Sequence, residues 1–286
     1  MSPSSRVARA CVIGHPVAHS RSPLVHGYWL RLHGLRGTYE RADVPSEDID
    51  GFLFGLAAAG YVGGNVTIPH KEAAFRACAE RDPVAEELGA VNTLWLEDGR
   101  LHGANTDMYG FLANLDAGAP GWDQVLTEAV VLGAGGASRA IIRGLLDRGI
   151  DRVVVVNRTL ERAEILRAQF GPRVLPVAWR DIGGTLAGCR LLVNTTSLGM
   201  NGQPPLDLDL SALSPDTVVT DAVYVPLETP LLRAAQARGL ATVDGLGMLL
   251  HQAVPGFERW FGVRPEVTPE LRAYVIADLA AKGQLH

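Results

Sequence analysis

The middle of the chain carries two short apolar runs separated by a glycine-rich turn. Residues 129–132 (Ala-Val-Val-Leu) lead into residues 133–139 (Gly-Ala-Gly-Gly-Ala-Ser-Arg), and residues 153–156 are four consecutive valines. A strand, a glycine turn, a helix and a second strand in this order are typical of a βαβ unit that binds a dinucleotide. The alternative is a glycine-rich loop without a ligand, and Ser138 stands where the usual motif has its third glycine.

The glycine turn is the candidate site for the pyrophosphate of that dinucleotide. Gly133 allows a tight turn, and Gly135 lacks the Cβ that would keep a pyrophosphate away from the backbone. The N-terminus of the following helix supplies unpaired N–H groups and a partial positive charge. The cofactor-binding residues predicted in this turn are Gly133, Ala134, Gly135, Gly136 and Ala137.

The residues after the second apolar run predict which dinucleotide binds. An acidic side chain there would hold the free ribose 2′-hydroxyl of NAD. The chain has Asn157, Arg158 and Thr159 instead, and a guanidinium beside a hydroxyl suits a 2′-phosphate. Arg162, one helical turn beyond Arg158, adds a second candidate cation. We therefore predict NADP as the cofactor, against the alternative that Arg158 is an ordinary solvated arginine.

Composition and charge limit the class of protein. The chain has 286 residues and a formal net charge of −5, so no basic field favours nucleic acid or an anionic membrane. The cysteines, Cys11, Cys78 and Cys189, lie far apart, which indicates no disulfide framework and fits the reducing cytoplasm. Residues 1–9 lack the apolar stretch of a secretory signal, and no apolar run is long enough to span a bilayer. We expect a cytoplasmic protein.

The order of apolar and helical segments predicts an α/β fold. Strands and helices alternate from residue 129 onward, which favours a Rossmann-like parallel sheet with helices on both faces. In the first part of the chain, we expect a helix that begins near Pro23 with Ser22 as its cap. Asp98-Gly99 predicts the turn of a hairpin between residues 93 and 102.

Four segments outside the glycine turn carry polar residues where one predicted element meets the next. These segments are residues 14–23, 64–71, 89–93 and 105–107. Their hydroxyls and amides, with Lys71 and Asp107, suit a small ligand that carries several hydroxyl groups. Each residue alone has a structural alternative: Ser22 as a helix cap, Asn92 in a turn, and Asp107 as a charge at a helix N-terminus. These structural roles do not explain why so many polar residues occur together in the four segments.

These segments divide the chain into two predicted domains. Residues 1–107 together with residues 247–286 are expected to form the substrate-binding and catalytic domain. Residues 108–246 are expected to form the NADP-binding domain. The C-terminal segment is predicted to contain two helices, at residues 248–260 and from Pro269 to residue 281, which pack back on the first domain. A ligand site in such a protein lies beyond the strand ends, where the domains meet.

Eight short motifs are distributed over nearly the whole chain. They are residues 14–23 (Gly-His-Pro-Val-Ala-His-Ser-Arg-Ser-Pro), 65–71 (Asn-Val-Thr-Ile-Pro-His-Lys), 89–93 (Gly-Ala-Val-Asn-Thr), 105–107 (Asn-Thr-Asp), 133–139, 157–159 (Asn-Arg-Thr), 194–200 (Asn-Thr-Thr-Ser-Leu-Gly-Met) and 244–249 (Asp-Gly-Leu-Gly-Met-Leu). In order and spacing, this set resembles the shikimate dehydrogenase family. The resemblance implies NADP-dependent interconversion of 3-dehydroshikimate and shikimate in the biosynthesis of aromatic amino acids.

The resemblance also implies roles for individual residues. The implied catalytic pair is Lys71 and Asp107. The implied substrate contacts are Ser20, Ser22, Thr67, Lys71, Asn92, Asp107, Tyr224 and Gln252. The implied cofactor contacts are residues 133–137 and 157–159, together with Ala222 and Gly245. The chain departs from the family's usual residues at His15, where asparagine is more frequent, at Ala104, where an acid is frequent, and at Ala222, where methionine is common.

Other activities remain open at this point. The chain could belong to a branch that acts on quinate or on an amino analogue of shikimate, although Asn157-Arg158-Thr159 argues against an NAD-preferring quinate enzyme. A non-catalytic NADP-binding sensor on the same fold is a second alternative, against which the presence of both Lys71 and Asp107 argues. A reductase of the serine-tyrosine-lysine type is excluded, since no Tyr-x-x-x-Lys pair follows the glycine turn.

Lys71 and Asp107 are the candidates for proton transfer during hydride transfer. A cation in the first turn of a helix opposes the helix dipole, so Lys71 needs another reason to be there. We assign Lys71 as acid and base and Asp107 as its orienting partner, while either group could move the proton. The histidines near the motifs are interpreted as packing or surface residues, so no metal site is predicted. A monomer and a homodimer are both compatible with the sequence.

Overall fold

The structure is a computed structural model, which describes residues 7–124 and 127–285. The described residues form two compact units. The first unit contains the residues up to Thr106 and Gln252–Val275, and the second contains Asp107–His251 and the residues from Ile276 onward. That the first unit binds substrate and the second binds NADP stays a prediction.

The first unit is built on a six-stranded mixed sheet. Its elements in chain order are β1 (Ala8–Gly14), α1 (Ser22–Leu32), β2 (Gly37–Asp43), α2 (Ile49–Gly55), β3 (Tyr61–Val66), α3 (Lys71–Ala77), β4 (Glu80–Arg81), α4 (Pro83–Leu88), β5 (Thr93–Glu97) and β6 (Arg100–Ala104). The strand order is β2-β1-β3-β5-β6-β4. β1 runs parallel to both β2 and β3, so the chain reverses its direction of winding between β1 and β3. The hairpin of β5 and β6 around Asp98-Gly99 is confirmed.

The start of α1 differs from the expectation in one detail. Arg21 is the residue that flanks the helix, Ser22 is its first residue, and no side chain caps this end. The prediction that Ser22 caps the helix is therefore wrong. Pro23 lies in the first turn, where its missing N–H and fixed φ angle favour a helix start.

The second unit is built on a six-stranded parallel sheet. Its elements are α5 (Asp107–Gly118), β7 (Glu128–Leu132), α6 (Gly136–Asp147), β8 (Arg152–Asn157), α7 (Leu160–Phe170), β9 (Val174–Ala178), α8 (Gly183–Leu186), β10 (Leu191–Asn194), β11 (Val218–Asp221), α9 (Pro230–Ala237) and β12 (Ala241–Val243). The strand order is β12-β11-β10-β7-β8-β9, with every neighbouring pair parallel. This is the doubly wound order, so the predicted Rossmann-like fold is confirmed.

Two C-terminal helices complete the fold, α10 (Leu246–Phe261) and α11 (Pro269–Ala281). Residues 252–275 belong to the first unit, where Trp260 Nε1 donates to the Leu94 carbonyl at 2.8 Å. The Trp29 Nε1 donates to the carbonyl of Glu266 at 3.1 Å, which fixes the segment between the two helices. Parts of both C-terminal helices thus group with the first unit, whereas the start of α10, up to His251, and the residues from Ile276 group with the second. The domain boundaries stay a prediction.

The three cysteines are buried free thiols. Burial raises the pKa of Cys11, Cys78 and Cys189 to about 12 in each case, so none is a ready nucleophile. None of the helices in the described ranges combines the length and the apolar character that a membrane crossing requires.

Candidate active site

In the first unit, the loops after β1 and β3 meet at one edge of the sheet. Parallel neighbouring strands end at the same edge, and this pair marks the reversal of winding, where ligands bind in such folds. The Thr67 N–H donates to the Ile13 carbonyl at 2.9 Å, and the His15 N–H donates to the Ile68 carbonyl at 3.1 Å. A Cβ on Gly14 would lie 2.5 Å from Thr67 Cγ2, so the close approach of the two loops requires glycine there.

Asn92 lies at the centre of this edge. Its carbonyl accepts from the Val66 N–H at 2.8 Å, and its side-chain Oδ1 accepts from the Thr106 N–H, also at 2.8 Å. The Thr106 hydroxyl donates to the Gln252 carbonyl at 2.9 Å. The structure therefore brings together Thr67, Asn92 and Gln252, three of the predicted substrate contacts.

Lys71 is the first residue of α3, and its backbone is fixed from two sides. The buried ring of His70 donates from Nε2 to the Val44 carbonyl at 2.6 Å. The Val91 N–H donates to the Lys71 carbonyl at 3.0 Å, next to Asn92 in the chain. His70 is thus a packing residue, as interpreted from the sequence, and it positions the helix turn that carries the lysine.

Ser20 and Ser22 lie between β1 and the body of α1. The Ser22 N–H donates to Ser20 Oγ at 3.3 Å, and the Arg41 guanidinium donates to the Ser20 carbonyl at 2.7 Å. Ser22 is buried and Ser20 is half-buried. The two predicted substrate serines are therefore linked, Ser20 at the end of the loop after β1 and Ser22 at the start of α1.

In the second unit, the glycine turn has the geometry that the sequence predicts. Gly133 has a φ angle of +103°, and its N–H donates to the Val156 carbonyl at 2.8 Å. A Cβ on Gly133 would lie 2.8 Å from Thr195 Oγ1, whereas a Cβ on Gly135 or Gly136 would meet no atom within 4 Å. Gly133 is thus required by the turn itself, and the space in front of the other two glycines is open.

Ser138 explains how the turn holds its shape without the third glycine of the usual motif. Its side chain is fully buried, and Oγ donates to the Gly135 carbonyl at 2.6 Å. The first turn of α6 contains no acidic residue, so its N–H groups face no carboxylate of their own helix. This arrangement fits the N-terminal end of a helix that receives an anionic group.

Replacing Gly135 with alanine separates a ligand role from a structural role. Because the added methyl group meets open space and Gly135 has an extended backbone, we expect an unchanged melting temperature. If the pyrophosphate approaches this backbone, the Kd for NADP rises by about tenfold or more, the effect of losing roughly one charge-assisted hydrogen bond. Calorimetric titration with NADP measures the Kd, and unaltered NADP binding in the variant would contradict the role.

The residues that follow β8 lie at the surface. The Asn157 side chain donates from Nδ2 to the Thr159 carbonyl at 2.8 Å, which turns the chain into α7. Arg158 and Arg162 are both exposed, and the Arg162 N–H donates to the Thr159 carbonyl at 3.2 Å. Two cations therefore lie within one short segment next to the end of β8.

Ala222, which follows β11, lies close to Gly245, which follows β12. A Cβ on Gly245 would lie 2.6 Å from the Ala222 carbonyl oxygen, so only glycine permits this contact. The Ala222 N–H donates to the Asn194 carbonyl at 2.9 Å. Tyr224, half-buried, follows in the same segment.

A buried carboxylate that the sequence analysis missed supports this segment. Asp221 accepts from Asn194 Nδ2 at 2.9 Å, from the Val223 N–H at 3.0 Å and from the Thr229 hydroxyl at 2.7 Å. Burial raises the pKa of Asp221 to about 6. The signal in the sequence was an acid at the end of an apolar run, which by itself does not reveal burial.

The two residues of the predicted catalytic pair belong to different units. Lys71 belongs to the first unit, and Asp107, the first residue of α5, opens the second. The pairing of their side chains stays a prediction. No group of three or more His, Cys, Asp and Glu side chains within residues 7–124 and 127–285 is arranged to hold a metal ion.

Family models match three segments of the chain. Residues 12–94 match the shikimate dehydrogenase substrate-binding domain, residues 123–199 match shikimate/quinate 5-dehydrogenase, and residues 245–269 match the shikimate 5′-dehydrogenase C-terminal domain. The chain is 65% identical over 277 residues to the shikimate dehydrogenase (NADP(+)) of Azorhizobium caulinodans, covering 97% of this chain and 99% of the relative. It is 61% identical to that of Rhodopseudomonas palustris, covering 96% and 98%.

Solved structures agree with this assignment. The shikimate 5-dehydrogenase of Thermus thermophilus, in complex with NADP(H) and shikimate, superposes with a TM-score of 0.83 at 39% identity, covering 94% of this chain and 99% of that one. The quinate dehydrogenase of Corynebacterium glutamicum, in complex with NAD, gives a TM-score of 0.88 at 32% identity, covering 94% and 99%. The chain belongs to the shikimate dehydrogenase family.

Proposed function

We propose that this protein is an NADP-dependent shikimate dehydrogenase, which reduces 3-dehydroshikimate to shikimate reversibly. Relatives with this name are 65% and 61% identical to it over almost their whole length. The observation that carries the proposal is a set of backbone hydrogen bonds in the first unit. They hold Asn92, which precedes β5, next to the end of β3 that leads into Thr67, and they hold Val91 against Lys71 at the start of α3. Thr67, Lys71 and Asn92 offer a hydroxyl, an amine and an amide to a ring that carries several hydroxyl groups.

In this proposal, the first unit binds the substrate. Ser20 and Ser22 supply hydroxyl groups from the loop after β1, and Thr67 supplies one from the loop after β3. Asn92 and Gln252 contribute amides, and Tyr224 adds a phenol from the second unit. Directed donors and acceptors of this kind fix the orientation of a small polyol, which is what a stereospecific hydride transfer requires.

The second unit offers a site that fits NADP. In this proposal the pyrophosphate lies against Gly135 and Gly136 at the N-terminus of α6, where an added Cβ would meet no atom within 4 Å. Arg158, Thr159 and Arg162 supply the 2′-phosphate contacts in this proposal, while Ala222 and Gly245 line the nicotinamide end. When bound, NADP accepts a hydride from the carbinol carbon of the substrate.

Lys71 and Asp107 handle the proton of the reaction. Oxidation of the alcohol removes a hydride from carbon and a proton from its oxygen, so a base must receive that proton. Lys71 takes this role in the proposal, and Asp107 orients it and balances its charge. The lysine begins α3, where helix-dipole effects disfavour a cation, so binding rather than helix stability accounts for its presence.

Replacing Arg158 with alanine is expected to discriminate between the two nicotinamide cofactors. A guanidinium that binds the 2′-phosphate contributes a charge-assisted hydrogen bond, so the Kd for NADP rises by about 10- to 100-fold. The Kd for NAD, which has no such phosphate, changes little. Arg167→Ala, at an exposed position on α7, the helix that follows Arg158, is the matched control and leaves both constants unchanged. Equal losses for both cofactors in the Arg158 variant would refute the role.

A four-way assay tests the activity itself. The purified chain is given shikimate or quinate with NADP or NAD, and formation of the reduced cofactor is followed by absorbance. We expect the highest kcat/KM for shikimate with NADP. Preference for quinate would instead assign the chain to the activity named for its Corynebacterium neighbour. Binding of NADP without any turnover on either substrate would favour a non-catalytic sensor.

The proposal extends to the location and the oligomeric state of the enzyme. Three buried free thiols suit a reducing cytoplasm, where the predicted pathway operates. The active form is a monomer or a homodimer, and light scattering on the purified chain distinguishes them. The substrate is a small molecule in either case.

A further inference from the structure

A chain of buried hydrogen bonds links Tyr39, on β2, to the candidate substrate site. The Tyr39 hydroxyl donates to Asn65 Oδ1 at 2.7 Å. Asn65, on β3, donates from Nδ2 to the Asn92 carbonyl at 3.3 Å and to the Thr93 hydroxyl at 3.2 Å. Asn65, Asn92 and Thr93 are each at most 5% exposed, so water does not compete for these bonds.

The Tyr39 hydroxyl satisfies the accepting end of the Asn65 amide. The Asn92 carbonyl can only accept, so it sets the amide with Nδ2 toward Asn92. In that orientation Oδ1 faces Tyr39, whose O–H donates to it. Burial raises the pKa of Tyr39 well above its ordinary value, so the hydroxyl keeps the proton that it donates.

Tyr39 itself is held by the surrounding aromatic side chains. Its ring stacks on His26 with centroids 3.9 Å apart and lies 5.8 Å from the ring of Trp260. Trp260 in turn donates to the Leu94 carbonyl on β5, one residue beyond Thr93. The tyrosine is thus fixed between α1, α10 and the sheet, and its hydroxyl has a defined position.

We propose that Tyr39 is a positioning residue for the substrate, because its hydroxyl holds the Asn65 amide, which in turn holds Asn92. Asn92 also binds the N–H of Thr106, whose hydroxyl donates to the Gln252 carbonyl. Through these hydrogen bonds, the Tyr39 hydroxyl helps to hold Asn92 and Gln252, two predicted substrate contacts, in place. This inference rests on the proposed shikimate dehydrogenase activity.

Tyr39→Phe tests the inference, since it removes one oxygen and keeps the ring. Asn65 Oδ1 then loses the Tyr39 donor, and we expect the KM for shikimate to rise about tenfold, as for a buried polar group left without its partner. The KM for NADP stays unchanged, and kcat falls by no more than about threefold. Tyr28→Phe, which makes the same change on α1 away from Asn65, is the matched control and keeps the wild-type KM for shikimate.

A double-mutant cycle separates positioning from a general loss of stability. If Tyr39 acts through Asn92, Tyr39→Phe adds nothing to the KM for shikimate in an Asn92→Ala background. Multiplying effects in the double variant, or equal increases in KM for shikimate and NADP, would overturn the inference. An unchanged KM for shikimate in Tyr39→Phe would also overturn it. Wild-type turnover on shikimate is measured first, so absence of that turnover refutes the proposed function, not the role of Tyr39.

Discussion

Replacing Lys71 with methionine is expected to lower kcat by about 10²-fold or more, because loss of a general acid or base costs a rate factor of this order. Methionine keeps an unbranched side chain, with sulfur in place of Cδ, and lacks the ammonium group. The bonds that fix this turn involve the His70 ring and the Lys71 backbone carbonyl, so the substitution leaves them in place. The KM for shikimate should therefore change little. Steady-state rates at saturating NADP measure both constants.

Lys282→Met is the matched control. Lys282 is the only other lysine in the sequence, and it forms an ion pair with Asp278 at 2.7 Å in the C-terminal segment. An exposed pair of this kind contributes little to stability, so the control variant should keep full turnover. Near-normal turnover in Lys71→Met would contradict the acid and base role. A fall in kcat in both variants would trace the effect to a general loss of lysine charge.

The second unit was the most predictable part of the fold. Residues 129–132 and 153–156 are buried on both faces of a parallel sheet, so they appear in the sequence as continuous apolar runs. Gly133 marks the turn because its φ angle of +103° is available to glycine and costly for other residues. Patterns of this kind depend on a few neighbouring residues, so they can be recognised without knowledge of the tertiary structure.

β9 was not predicted, for a physical reason. The strand is short and contains Pro176, which cannot donate a hydrogen bond to a neighbouring strand. In the structure β9 lies at one edge of the sheet, next to β8 and, among the described residues, to no other strand, and a missing donor is tolerated at such an edge. Whether a strand lies at an edge depends on the topology of the whole sheet, which a local segment does not reveal.

Some residues of the candidate site could be identified from the sequence, and others could not. The motifs identified Thr67, Lys71 and Asn92 because each lies where one element meets the next. Thr67 follows β3, Lys71 begins α3, and Asn92 precedes β5. Tyr39 and Asp221, which hold neighbouring segments in place, gave no comparable signal. Their importance comes from burial and from partners distant in the sequence, such as Asn65 for Tyr39 and Thr229 for Asp221. Contacts of this type appear only when the chain is folded.

His26 is expected to make the fold sensitive to acid, and this is the largest stability effect that we predict. The side chain is fully buried, and its ring lies among those of Tyr39, Trp29, Phe257 and Trp260. Burial lowers its pKa from 6.5 to about 3. The unfolded chain therefore binds a proton below pH 6.5 that the folded protein does not, so the free energy of unfolding falls as the pH is lowered.

The size of the effect follows from the same numbers. Between about pH 7.5 and about pH 4.5, protonation of His26 in the unfolded chain lowers the free energy of unfolding by about 3 kcal/mol. A non-titrating side chain abolishes this contribution, so His26→Phe and His26→Leu should each lose about 3 kcal/mol less than the wild type over this range. Urea denaturation at several pH values measures the difference.

Comparing losses rather than absolute stabilities makes the test independent of packing. A leucine or phenylalanine in place of His26 alters contacts with Tyr39 and Phe257, but that change is the same at both pH values and cancels. His33→Phe, an exposed position at the end of the same helix, is the matched control and should keep the wild-type loss. If both His26 variants lose as much stability as the wild type on acidification, the buried ring is protonated in the folded protein and the explanation is wrong.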